Sequence, residues 1–194
     1  MRKLNLGCGD FKKEGYINSD ISVRTEPDIL MNLDHIPYPF KDNEFDLIEA
    51  DHVLEHLSEP FEVMKELNRI LKTGGRLEIR VPHFSRALSH PQHKSGFDVT
   101  FPKYFDDKFP GGFTGVSFIC ESMKLKWFSQ KYLMKKILSP FIYYTLSTIA
   151  IPIDILANMS PLFCSRVWCF WVGGFYEIEY IFQKPIGVEN FKPE

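Results

Sequence analysis

The stretch that decides the fold is Lys3-Leu4-Asn5-Leu6-Gly7-Cys8-Gly9. Apolar and polar residues alternate and then give way to two glycines, the pattern of a short strand running into a tight turn. Tyr16 to Asp20 predicts a second strand ending in an acid, Ile29 to Met31 a brief third, and Phe45 to Ala50 a fourth. The period then changes. Phe61, Met64, Leu67, Asn68, Ile70 and Leu71 fall at helical spacing, with Ser58 placed as N-cap and Gly74-Gly75 as the stop. Arg76 to Val81 is a fifth strand, stopped by Pro82. Strands feeding a helix and then another strand predict an α/β sheet.

The sequence beyond Pro82 is read more coarsely. Residues 83–96 are polar and punctuated, a loop. Thr100-Phe101-Pro102 opens a short helix, residues 118–129 form a strand, and residues 131–159 form helix interrupted at Pro140 and Pro152. Residues 161–171 read as an aromatic helix and 175–183 as the last strand. The two parts differ in chemistry: 21 of the 29 aromatic residues lie after position 97, and all six His lie before position 94. Neither part holds enough strands for its own sheet, so the reading is one domain, 1–194, with a cofactor half at 1–82 and an acceptor-side, helical cover at 83–194.

Composition narrows the function. The 23 basic and 25 acidic residues leave a net charge of -2, without the basic excess of proteins that coat nucleic acid. The four Cys show no C-x-x-C spacing, and Met1-Arg2-Lys3 leads into no long apolar run. A reducing cytoplasm is the expectation. The glycine turn ends a strand, where parallel sheets bind ligands. A dinucleotide fingerprint requires Gly at position 12, which is Lys12. A nucleoside without a pyrophosphate therefore fits better, which favours S-adenosylmethionine (SAM) over NAD. Asp20 is placed to accept ribose hydroxyls, and Asn32-Leu33 to address an adenine edge.

The runs Leu4 to Gly9, Gly15 to Asp20, Ile36 to Phe40, Phe45 to Ile48, His52 to Leu57 and Leu71 to Leu77 resemble class I SAM-dependent methyltransferases, in the small branch linked to surface-glycan pathways. The resemblance is close over residues 3–82 and looser beyond. It implies a single doubly wound, Rossmann-like sheet of about seven strands, mostly parallel with an antiparallel last strand, and a helical C-terminal insertion. It implies Asn5, Gly7, Cys8, Gly9, Asp20, Asn32, Leu33 and Asp51 as cofactor residues. Only ten residues separate Gly9 from Asp20, and eleven separate Asp20 from Asn32. Those spacings are too short for crossover helices, so the first two crossovers are expected to shrink to turns.

For catalysis, His52 is the candidate general base, although methyl transfer leans chiefly on alignment. His52 and His56 are spaced to share a helical face, with Glu55 and His56 read as bracing the helix. His83, His90 and His93 are assigned to the acceptor side. His90-Pro91-Gln92-His93 has no companion ligand at a typical spacing, so no metal is expected. Five Lys and no acid between 124 and 136 precede the apolar run 137–157. That segment reads as a solvated face with core or interface, or as a peripheral membrane contact through 124–157. The expected activity is methyl transfer to oxygen or nitrogen of a small-molecule or glycan- or lipid-linked acceptor, in the cytoplasm or at the membrane periphery. A homodimer stays open, and a non-catalytic SAM-binding adaptor is the alternative.

Overall fold

The computed structural model describes residues 1–87 and 90–186. Seven strands form one sheet: β1 (Lys3–Leu6), β2 (Ile17–Asp20), β3 (Ile29–Leu30), β4 (Phe45–Asp51), β5 (Leu71–Pro82), β6 (Ile119–Lys126) and β7 (Glu177–Gln183), in the order β3-β2-β1-β4-β5-β7-β6. The first five strands pair in parallel, and β7 runs antiparallel between β5 and β6. The strand order reverses between β1 and β4, which makes the carboxyl ends of those strands the switch point where α/β sheets bind ligands.

Helix α1 (Pro60–Ile70) crosses from β4 to β5 and buries Val63, Met64, Leu67 and Ile70 against the sheet. These positions recur at three- and four-residue spacing, one stripe of the helix. Two details differ from the sequence reading. Ser58 does not cap α1; its N–H and hydroxyl both go to Asp34. The helix also ends at Ile70 rather than at Gly74-Gly75, because Leu71 already pairs with Phe45 across a register shift. Gly74 instead turns the strand with φ of 74°.

The first crossovers are turns, as their spacing implies. Residues between β1 and β2 contain no helix, and only a 3-10 turn at Val23–Thr25 lies between β2 and β3. The consequence shows in the two faces of the sheet. One carries Ile48, Ala50, Leu77, Ile79, Val81, Ile178, Tyr180 and Phe182, all buried. Rings from the later residues cover it: Phe101 meets Phe97, Phe105 and Tyr180 at centroid distances of 5.0 to 5.5 Å. The alternate positions carry charge. Arg80 pairs with Asp51 at 2.9 Å, Arg76 with Glu78 at 2.8 Å, and Glu49 accepts from Lys13 and Tyr16. A parallel sheet ordinarily reads apolar on both faces. Here the second face is a half-exposed polar ladder.

The later helices are α2 (Phe84–Ala87), α3 (Lys131–Ile137), α4 (Pro140–Met159) and α5 (Pro161–Arg166). The expected break at Pro140 is present, where Ser139 caps α4 by accepting from the Ile142 N–H. The expected break at Pro152 is absent: α4 runs through it for 20 residues. Helix α5 stops at Arg166, and the rest of the predicted aromatic helix is a 3-10 turn at Trp168–Phe170.

Helix α4 is turned inside out. Its sheet-side stripe is small or polar: Ala150 and Ala157 are buried, Asp154 accepts from the Trp127 N–H at 2.8 Å, and Asn158 bonds both the N–H and the carbonyl of Leu125. Its outer side carries Phe141, Tyr144, Ile151, Ile155 and Met159, each at least 59% exposed. By length and composition α4 suffices to cross a membrane, and only 11% of its apolar window is buried.

Candidate functional site

The carboxyl edge of the sheet gathers most of the predicted residues. Gly7 and Gly9 both have positive φ, at 60° and 49°. Gly7 is further constrained by packing: a Cβ there would come within 2.3 Å of Val53 Cγ2, in the loop after β4. A Cβ on Gly9 would meet nothing within 4 Å. The turn is thus clamped at its start and open at its end. The Gly9 N–H donates to Asp20 Oδ2 at 2.8 Å, and the Ser22 N–H to Oδ1 at 2.8 Å. A carboxylate oxygen accepts more than one bond, so Asp20 is fixed in aim with lone pairs to spare. A half-buried, oriented carboxylate beside an open glycine fits a ribose diol.

The other cofactor candidates divide. Asn5 is buried and spends its amide on the Phe11 carbonyl and Asn18 Oδ1, so it braces the turn from behind. Cys8 is also buried, and burial pushes its thiol pKa up. The side chains of these two lie beneath the turn, behind Gly7 and Gly9. Asn32 accepts from the Asp34 N–H, and the carbonyl of buried Leu33 takes the Tyr38 hydroxyl. The Met31 N–H bonds the Asp20 carbonyl, which ties this loop to the second strand. Asp51 ends β4 and pairs with Arg80.

Beside Asp51 lies a cavity of about 300 Å³, lined by His52, Glu55, His56, Arg86, His93 and Tyr176, among others. His52 sits at φ of 53°, in the left-handed region where bulky side chains are strained. Its Nε2 meets Glu177 Oε2 at 2.6 Å and its Nδ1 meets Glu55 Oε1 at 3.2 Å. Burial opposes a charge on this ring, but the two carboxylates outweigh it and raise the pKa to about 9. At neutral pH the ring is an imidazolium flanked by acids and has no lone pair for a proton. His52 thus stands at the end of β4 with both ring nitrogens on carboxylates.

The shared helical face predicted for His52 and His56 does not form, because the chain reverses at His52 and enters a 3-10 turn over Leu54–His56. Glu55 and His56 do not brace a helix; both face the cavity. His90 and His93 join them, with ring centroids 5.8 and 4.8 Å from that of His56. His83 does not. It is fully buried between Ser85 Oγ at 2.7 Å and Ser165 Oγ at 2.8 Å, behind the cavity wall. Burial lowers its pKa to about 4, so it is a neutral core residue. Glu177 and Tyr176 were missed by sequence reasoning. Glu177 is 125 residues from His52, and nothing local marks it beyond an acid opening the last strand. A larger cavity of about 740 Å³, between Asp42, Asn68 and Lys184, lies at the opposite, amino-end edge of β4, away from these residues.

Residues 14–79 match the methyltransferase domain family. A SAM-dependent methyltransferase from Archaeoglobus fulgidus superposes with a TM-score of 0.56 at 18% identity, over 94% of this chain and 86% of that one. Phosphoethanolamine N-methyltransferase 2 of Haemonchus contortus, in complex with SAM, gives 0.56 at 16% identity, over 96% of this chain and 49% of that one. The [4+2]-cyclase SpnF gives 0.53 at 17% identity, over 96% and 76%. No curated protein sequence matches the chain.

Proposed function

We propose that this chain, a class I SAM-dependent methyltransferase by its matched domain and its sheet, moves a methyl group to oxygen or nitrogen of a small, glycan- or lipid-linked acceptor. SAM is the cofactor, and when bound it supplies an electrophilic methyl on a sulfonium sulfur. The observation that carries the reading is one edge with two adjoining parts: the Gly9–Asp20 cradle and the polar cavity beyond Asp51. Asp20 would hold the ribose hydroxyls, and the loop at Asn32-Leu33 would meet the adenine. Asp51 would lie by the methionyl group. Residues 1–82 thus act as the cofactor half of a single domain, and 83–186 close the acceptor side.

The chain's own contribution to the chemistry is placement. His52, held from two sides, spends both ring nitrogens on Glu177 and Glu55 and fixes the cavity wall beside the end of β4. Tyr176 and Arg86 line the same cavity, and the Arg86 Nε donates to the Gly173 carbonyl. Aligning nucleophile, methyl and sulfur accounts for a large part of such barriers.

The outer side of α4 supports a lipid-linked acceptor and a peripheral seat on a membrane. Its exposed Phe, Ile and Met residues follow exposed Lys131, Lys135 and Lys136 of α3, a pairing suited to an anionic surface. The test is incubation with methyl-labelled SAM and cell extract partitioned into lipid and aqueous fractions. Label in the lipid fraction is expected. Label only in the aqueous fraction would contradict the lipid-linked class, and cofactor binding without label anywhere would favour a non-catalytic adaptor.

A further inference from the structure

We propose that Glu55, His56 and His93 form a binding site for one divalent transition-metal ion, of the zinc class, at the mouth of the cavity. Their ligand atoms lie within 4.8 Å of one another. A tetrahedral shell with bonds of 2.0–2.1 Å needs about 3.4 Å between ligands, a gap that side-chain rotation closes.

Two independent observations point to a ligand there. Glu55 is fully buried, and its Oε2 has no hydrogen-bond partner, while Oε1 is taken by His52. An orphaned carboxylate oxygen in the interior is costly, and a cation would satisfy it. Both histidines are also set up as ligands from behind. His93 Nδ1 donates to the Ala87 carbonyl at 2.6 Å, and His56 Nδ1 to the Gln92 carbonyl at 3.3 Å. Anchoring Nδ1–H on a carbonyl leaves the Nε2 lone pair free, the arrangement metal-binding histidines use. His93 Nε2 is 3.9 Å from Glu55 Oε1. The backbone keeps the two segments side by side: the Lys94 and Ser95 N–H groups both bond the Glu55 carbonyl, at 2.7 and 3.3 Å.

Two imidazoles and one carboxylate give three protein ligands, the number that leaves a position open. His90 stacks on His93 with centroids 4.8 Å apart, and it walls the site on that side. The open position faces the cavity and would take water or an oxygen of the acceptor. That last assignment rests on the methyl-transfer reading, whereas the ion site does not.

The test uses the full chain, stripped by chelator and dialysed. Titration with Co²⁺ should give one equivalent bound, with visible bands of low-coordinate nitrogen and oxygen ligation, and Zn²⁺ should displace it. His93→Gln and His56→Gln should each weaken binding at least tenfold while S-adenosylhomocysteine binding, read by calorimetry, stays intact. Bound Co²⁺ on the wild-type chain should broaden the ring-proton resonances of His56 and His93 first, a readout that needs no variant. Binding well below one equivalent, affinity unchanged in both variants, or broadening centred on other residues would each overturn the site. Failure of methyl transfer with the ion bound would count against the function and not against the site.

Discussion

At the residue scale, the charged state of His52 carries a pH dependence with a definite sign. Its folded pKa of about 9 exceeds the ordinary value of 6.5, so its pairing with Glu177 and Glu55 stabilises the fold fully below about pH 6.5. That contribution drains away as pH rises toward 9. His83 acts in the opposite sense. Its folded pKa of about 4 lies below 6.5, so the unfolded chain takes up a proton first and stability falls as pH drops from about 6.5 to 4. Chemical denaturation across pH should show a stability maximum near neutrality, and Glu177→Gln should flatten the alkaline limb only. An unchanged alkaline limb in that variant would contradict the pairing. His52 also marks where residue-level reading stops: its place after a strand and its titrating type were legible, but the acid that charges it arrives from β7. Sequence spacing carries no sign of a contact between positions 52 and 177.

At the element scale, two features invite substitution. Gly7 must keep φ of 60° with Val53 pressed against it. Gly7→Ala should destabilise by about 1–3 kcal/mol, from left-handed backbone strain and the clash together. Adding Val53→Ala should recover only the clash, a partial rescue readable in thermal melts; full rescue would show that backbone conformation is not limiting. Helix α4 supplies the second case. Ile151→Glu or Ile155→Glu on the outer side should leave the melting temperature within a degree or two while reducing binding to anionic vesicles. Asp154→Ala on the inner side should cost about 1–3 kcal/mol, because it leaves the Trp127 N–H unpaired. The strands and α1 were legible because their apolar periods match what they bury. Helix α4 was legible as a helix but not in orientation, since its packed stripe is small and polar and its apolar side faces out. Pro152 was read as a break, but its position on the exposed side of α4 lets the helix pass through it.

At the scale of the whole molecule, the short crossovers explain both faces of the sheet. With ten residues between Gly9 and Asp20, no helix among the described residues covers β1 and β2 on the second face, and charged side chains take its place. Burial is concentrated on the first face, where Phe97, Phe101, Phe105 and Phe118 pack under β7. Part of the aromatic excess of the later residues covers one sheet, whose strands come from both halves of the chain, while Phe141, Tyr144, Phe170 and Trp171 stay exposed. The turn that joins Gly7, Gly9 and Asp20 was legible because its contacts are local. The cavity beside Asp51 was not, since it is assembled from the loop after β4, the segment 90–93 and the start of β7.

The central claim is that the Gly9–Asp20 edge holds a SAM-type nucleoside. Calorimetric titration of S-adenosylhomocysteine into the wild-type chain and Asp20→Ala tests it most directly. One site per wild-type chain is expected, with a loss of about 2 kcal/mol, roughly 30-fold, in a variant that remains folded. Absence of binding to the folded wild-type chain, or equal affinity in both proteins, would contradict it.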